Sequence, residues 1–374
     1  MNPLRKVLIS YHNFPPIAVD LSVAFQHAGI QTRLFITDDN EHWFYRRIIK
    51  PVNKLARRLR IIGREDDLFA NHPCNQLNWW TTCFQSQCDD FQPDLIFVIH
   101  GIPFAERYLS TLTVPKIAWW IEPNDDIFYL RQFSKPFNLY TSFSSKAVQL
   151  LNNINVETAY LHHAVSPDRF YPLAHIPQIY DVAFVGNFSP ERDAALQAVL
   201  AVTKNVAVYG PGWKKRSRLA KSDLRSIHKG ERIVGERLNV LFNSSRVVLN
   251  VQRLTERNGL NMRYFEVLAA RACLLTDTVP EIRQHFIPDK HLCIFDGIDD
   301  LKKKLNDLLS NETRREAIRY HGHKHVLDNY TYEHQVATLL SLHERIIDHC
   351  RVDDENVVAE PPTSPNGNLA MESD

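Results

Sequence analysis

Two consecutive α/β domains, each a parallel sheet covered by helices and together enclosing a cleft, are the fold this sequence predicts. Three observations carry that expectation. The chain has 374 residues, more than the ~250 to 300 at which a single hydrophobic core stops growing. Short apolar runs alternate with helical stretches in both halves. Between the halves, SPDRFYPLAHIPQIY carries three prolines and no periodicity, which marks a linker.

The first half opens with KVLISY, an amphipathic run VDLSVAFQHAGI that ends at Gly29, and TRLFIT, which together read as a strand–helix–strand unit. PDLIFVIHG, KIAWWIE, LYTSFS and AYLHHA follow, each left at a polar or glycine-containing loop, as expected of buried parallel strands. After the linker the pattern restarts with DVAFVGN, the helix RDAALQAVLAV, VAVYGPG, RIVG, the helix ERLNVLFNSS and RVVLNVQ. NGLNMRYFEVLAARACLLTD and HLCIFD complete it, before two helices and the long terminal helix YTYEHQVATLLSLHERIIDH. We therefore divide the chain into a first domain at 1–165, a linker at 166–178, a second domain at 179–330 and a terminal helix at 331–350. Residues 351–374, with six acids, three prolines and no periodic face, are expected to form a disordered tail.

A hydrophobic fraction of 44% with 23% charged residues excludes a disordered or fibrous chain. The net charge of +1 gives no whole-molecule case for nucleic acid. No segment approaches the ~20 apolar residues of a membrane helix, and the N-terminus runs straight into a strand pattern, so a cytoplasmic protein is expected. Six cysteines without CxxC or Cys/His spacing suggest reduced thiols instead of zinc or disulfides.

One insertion, at about residues 43–64, departs from the alternation. In WFYRRIIKPVNKLARRLRIIGRE, Ile48, Val52, Leu55, Leu59 and Ile62 recur at helical spacing. Arg46, Arg47, Lys50, Lys54, Arg57, Arg58 and Arg60 surround them, and Pro51 is allowed only near the first turn. Such a helix either packs on the domain with a solvated basic face or offers residues 46–64 to an anionic acceptor or a membrane surface.

Two facing α/β domains hold ligands where the carboxyl ends of their strands converge. In the second domain those ends are VGNFSPERD, YGPGWKKR and QRLTERNGLNMR, each joining glycine to a cation. Gly186 and Asn187 with Arg192, Gly210 and Gly212 with Lys214, and Gly259 and Asn261 with Arg263 thus read as an anion cradle. The loop after the first strand has no glycine, so a dinucleotide fingerprint is absent; so are a Walker loop and a strict DxD pair. No metal and no cofactor are expected, and the charge of a departing nucleoside diphosphate would fall to Arg, Lys and a helix dipole. Glu266, one turn after Arg263, is either a dipole-complementing residue or a grip for the vicinal hydroxyls of a ribose. In the first domain His12, His100, Glu122 and Asp125 stand at strand ends, where they could orient acceptor hydroxyls or relay a proton. His162 and His163 beside the linker are similar candidates.

In order, DVAFVGN with its following arginine, VYGPGWK, SSRVVLNV, GLNMRYFEVLAARACLLTD and the helix ending before YTYEHQVATLL resemble the CgeB-like glycosyltransferases related to spore maturation proteins. More distantly they are similar to retaining GT-B glycosyltransferases of the glycogen synthase and sucrose synthase type. The resemblance covers about residues 94 to 345 and is strongest from Asp181 to Tyr332. It implies a GT-B fold whose second domain holds a nucleotide-sugar donor as co-substrate and whose first domain holds a glycan, lipid-linked or protein acceptor. It also implies a last helix that crosses back to the first domain. Glu266 falls where retaining relatives place the ribose-binding glutamate of a Glu-x7-Glu motif, and the context favours His163 over His162. Two departures stand out: Asn258 occupies the place of the first glutamate, and Arg271 that of a turn glycine. A non-catalytic scaffold or a sugar-nucleotide epimerase on the same frame is the alternative reading.

Overall fold

The structure, a computed structural model, describes residues 4–11, 15–122, 126–256 and 258–358; of Pro15, Glu256 and 349–358 it describes the backbone alone. Its first sheet contains β1 (Lys6–Tyr11), β2 (Gln31–Ile36), β3 (Leu95–Ile99), β4 (Lys116–Trp120), β5 (Leu139–Ser142) and β6 (Thr158–Tyr160), in the order β2-β1-β3-β4-β5-β6. All five pairings are parallel. Both faces are covered, which is why β3 and β4 are buried along their whole length and read as continuous apolar runs.

The second sheet contains β7 (Tyr180–Val185), β8 (Val206–Tyr209), β9 (His228–Gly230), β10 (Ser245–Asn250), β11 (Leu274–Asp277) and β12 (Cys293–Phe295), in the order β12-β11-β10-β7-β8-β9. It too is wholly parallel. The β9 strand lies just upstream of the expected RIVG run, whose Gly235 instead turns with positive φ into the helix Glu236–Asn243. Each sheet changes winding direction once, between β1 and β3 and between β7 and β10, and ligands settle at such reversals.

The terminal helix, Tyr332–Val358, starts beside the second domain and packs against the first. Tyr332, Val336, Leu339, Leu342 and Ile346 join one core with Val7, Ile9, Leu21 and Trp119. Each such aliphatic side chain contributes about 1.5–3 kcal/mol by leaving water, so the crossover ties the domains together. The helix runs past residue 350, where the tail was expected to begin; residues 359–374 lie outside the described part. Polar contacts reinforce the junction: Arg169 Nε donates to Asp20 Oδ1 at 2.6 Å, and Gln335 Nε2 to the His162 carbonyl at 2.8 Å.

The basic insertion forms a π-helical turn, Tyr45–Ile49, and an α-helix, Lys50–Arg58, with Pro51 in its first turn. Its buried positions are Ile49, Asn53 and Ala56. The stripe Ile48, Val52, Leu55 and Leu59 is exposed, the reverse of what packing against the domain requires.

Candidate active site

The two winding reversals open on one cavity of 570 Å³ between the domains. Tyr11 at the end of β1, His100 after β3 and Glu122 after β4 line it from the first domain, with Phe143 and His163. Gly186 and Asn187 after β7, Asn250 and Arg253 at and after β10, and Asn261 and Arg263 face them from the second. His12 and Asp125 lie outside the described residues.

Helix starts supply much of the second wall. Ser189 caps the helix Pro190–Val202, whose Pro190 fits a first-turn position that needs no N–H donor. Arg192, in that turn, donates from Nε to the Val251 carbonyl at 2.7 Å and from Nη1 to the Asn187 carbonyl at 3.0 Å. Arg192 lines the cavity as expected, and its guanidinium also clamps the chain leaving β7 to the chain leaving β10. The helix Met262–Ala269 begins at Asn261, whose side chain accepts from the Arg263 N–H at 3.0 Å. Asp277 Oδ1 accepts the Gln252 N–H at 3.1 Å, and Gln252 Nε2 donates to the Gly259 carbonyl at 3.0 Å, which fixes the loop before that helix.

Arg263 faces the cavity while its Nη1 contacts Glu266 Oε2 at 2.6 Å, one turn further into the helix. Glu266 does not reach the same space. It opens onto a 70 Å³ slot with Asp20, Val234, Gly235 and Tyr332, joined to the main cavity through Ile17 and Met262, which line both. Burial pushes the Glu266 carboxyl above its ordinary value, and the neighbouring Arg263 guanidinium partly offsets this.

Two of the cradle glycines face protein. A Cβ on Gly210 would meet the Gly186 carbonyl oxygen at 2.0 Å, and one on Gly259 would meet the Phe143 ring at 2.5 Å. Both have positive φ, 142° and 102°, so these positions need glycine for loop-to-loop contact and not for an approaching phosphate. Gly212, also at positive φ, precedes the short helix Trp213–Arg216, where Lys214 is exposed and outside the cavity wall. Instead Arg216 and Arg253 flank a 660 Å³ depression that shares Asn187 and Arg253 with the cleft. These two arginines were not singled out from the sequence, because they are brought to one depression only by the side-by-side placement of β7, β8 and β10. Asn258 sits half-buried before Gly259 and does not line the cavity.

On the first-domain side, His163 is buried between Trp119 and Phe143, ring centres 5.5 and 4.6 Å away. Burial, with the nearby His162, holds its imidazole down at about 3. Such a ring is neutral at pH 7 and a weak base, which suits hydrogen bonding to a hydroxyl better than taking its proton.

His100 has φ of 59°, a left-handed conformation that costs a non-glycine residue about 1–2 kcal/mol. The strained residue joins two spaces, for His100 also lines a 540 Å³ chamber within the first domain. Trp80, Trp120, Tyr129 and Phe133 supply aromatic walls there, with Gln132 and Glu106 as polar groups. The Trp120 ring stacks on His100 at 5.4 Å, and its buried Nε1 makes no hydrogen bond among the described residues. None of these wall residues was singled out from the sequence, although the paired tryptophans ending β4 point to opposite faces by strand alternation.

Comparison with known proteins bears on the fold. Residues 192–341 match the family model described as glycosyl transferase-like. No curated protein sequence matches the chain. Among solved structures, sucrose-phosphate synthase from Thermosynechococcus elongatus is similar with a TM-score of 0.63 at 10% identity, covering 92% of this chain and 100% of that one. A glycosyltransferase from Rickettsia africae gives 0.62 at 11% identity, covering 93% and 99%. Anabaena HepE in complex with UDP-glucose gives 0.62 at 11%, covering 90% and 99%. The two parallel-sheet domains are those of the GT-B fold, and the match to the glycosyl transferase-like model covers most of the second domain and the start of the terminal helix.

Proposed function

We propose that the protein is a glycosyltransferase that moves a sugar from a nucleoside-diphosphate sugar, held by the second domain, to a hydroxyl acceptor held by the first. Catalysis needs no metal ion and retains the anomeric configuration. The observation that carries this reading is the single 570 Å³ cavity at both winding reversals, where Arg253, Arg263 and a capped helix start face His100, Glu122 and His163.

The donor's diphosphate lies against Arg253 and Arg263, with the helix start at Met262 adding its positive dipole end. Glu266 accepts the ribose hydroxyls in the slot beside Val234 and Gly235. At 70 Å³ that slot is narrower than a nucleoside, so the domains must part there to admit one. The acceptor enters through the aromatic chamber, and His100 and His163 orient its hydroxyl at the chamber's junction with the cleft. In the reaction the bond from the anomeric carbon to the diphosphate oxygen breaks, and a bond to the acceptor oxygen forms on the same face. The acceptor proton passes to the departing diphosphate, whose developing charge the arginines stabilise. Retention is supported by the sequence resemblance to retaining transferases.

The test is turnover of a panel of nucleotide sugars in EDTA, beginning with UDP-glucose because HepE holds it. Release of a nucleoside diphosphate is expected, with the product anomer matching the donor. Turnover that requires added metal, or an inverted product, contradicts the mechanism. Absence of turnover with every donor contradicts the function.

A further inference from the structure

The basic insertion has no part in the cleft. We infer that residues 43–64 form a docking surface for an anionic phospholipid bilayer, lying in its interface without crossing it. The outward position of the apolar stripe carries this: Leu55 and Leu59 are 56% and 60% exposed, and Trp43 and Ile61, near the two ends of the insertion, 67% and 66%. A helix packed for stability alone would turn these side chains inward. Here only Ile49, Asn53 and Ala56 turn inward, and the insertion is held by polar contacts as well, with Asn53 Nδ2 donating to Asp67 Oδ1 at 2.6 Å and, at the surface, Arg57 donating to the Asp66 carbonyl at 2.7 Å.

Charge selects the occupant. Eight lysines and arginines lie between Arg46 and Arg64, with no acid among them. Since the whole chain carries only +1, the remainder is net acidic and the positive charge is concentrated in this segment, where Glu41 approaches Arg46 and Lys50 only to 3.9 Å. An anionic lipid surface satisfies the cations with headgroups and the tryptophan and leucines with acyl chains. A second copy of this chain would bring like charges together, and a nucleic-acid backbone would leave the leucines in water. The surface also connects to the chamber: Asp67 holds both Asn53 and Asn75, and Asn75 caps the helix Gln76–Phe91 that carries Trp80 into the chamber wall.

The experiment is co-sedimentation of the full chain with vesicles of phosphatidylcholine alone or mixed equally with phosphatidylglycerol. Binding is expected only to the mixed vesicles and should weaken as salt rises. Lys54→Ala with Arg58→Ala should lower the partition coefficient about 30-fold, from roughly tenfold per 1.4 kcal/mol and about 1 kcal/mol per cation. Leu55→Ser with Leu59→Ser should lower it too, with an unchanged unfolding midpoint because both side chains are exposed. Equal binding to both vesicle types, no binding to either, or indifference to both double variants overturns the inference. So does sedimentation velocity showing a lipid-free dimer that Leu55→Ser disperses, or tight RNA binding that survives the leucine changes.

Discussion

Replacing His163 with glutamine takes one imidazole from between Trp119 and Phe143, and it should change how stability depends on pH. Burial holds the ring at about 3 in the folded chain, against 6.5 for an unperturbed histidine. At pH 7 it is neutral in both states. Below pH ~6.5 the unfolded chain takes up a proton that the folded chain refuses, so stability falls as pH drops through the window down to about 3. Integrated from pH 7 to pH 5, this one group removes about 2 kcal/mol. His285, held at about 4 by burial and by His162 and His325, acts in the same direction. The wild type should therefore be acid-sensitive, and His163→Gln should lose about 2 kcal/mol less over the same interval. Urea unfolding at pH 7, 6 and 5 measures the difference. Poorer packing of glutamine shifts the variant's curve by the same amount at every pH and leaves the slope to report the proton. Parallel curves for the two proteins would refute the buried, neutral state assigned to this ring.

Three further outcomes follow from contacts in and around the cleft. Arg263→Ala leaves the buried Glu266 carboxylate without its 2.6 Å partner and should cost about 3 kcal/mol of stability at pH 7, most of it recovered by adding Glu266→Gln; equal stability of the single and double variants in urea would contradict this. Gly259→Ala places a methyl group 2.5 Å from the Phe143 ring at a φ of 102° and should destabilise by about 2–4 kcal/mol, a loss that calorimetry would show. His100→Gly relieves the left-handed strain and should stabilise by about 1 kcal/mol while lowering turnover; a variant that is both more stable and fully active would remove His100 from the mechanism.

The sheets were legible because parallel strands buried on both faces leave unbroken apolar runs such as LIFVI, whatever the partner strand. The cleft was legible in outline, since the loops that follow those runs must meet. What each loop residue faces was not. Gly210 and Gly259 read as openings for a phosphate, yet one is filled by the Gly186 carbonyl and the other by Phe143, from the opposite domain. Arg192 looked like a ligand cation, but its reach to the Val251 carbonyl depends on where β10 ends. Arg216 and Arg253, remote from each other in sequence, become neighbours only when β7, β8 and β10 lie side by side. The helical spacing of Val52, Leu55 and Leu59 defined a stripe but not which way it turns, because periodicity is the same for an inward and an outward face.

The central claim is that the second domain holds a nucleoside diphosphate between Arg253, Arg263 and Glu266 without a metal ion. Isothermal titration with a panel of nucleoside diphosphates in EDTA tests it most directly, using wild type, Arg263→Ala and the stability-matched double variant Arg263→Ala with Glu266→Gln. At least one nucleotide should bind the wild type, with binding lost in both variants and unchanged in Leu55→Ser. Binding that appears only with magnesium, or that persists undiminished without Arg263 and Glu266, would contradict the account.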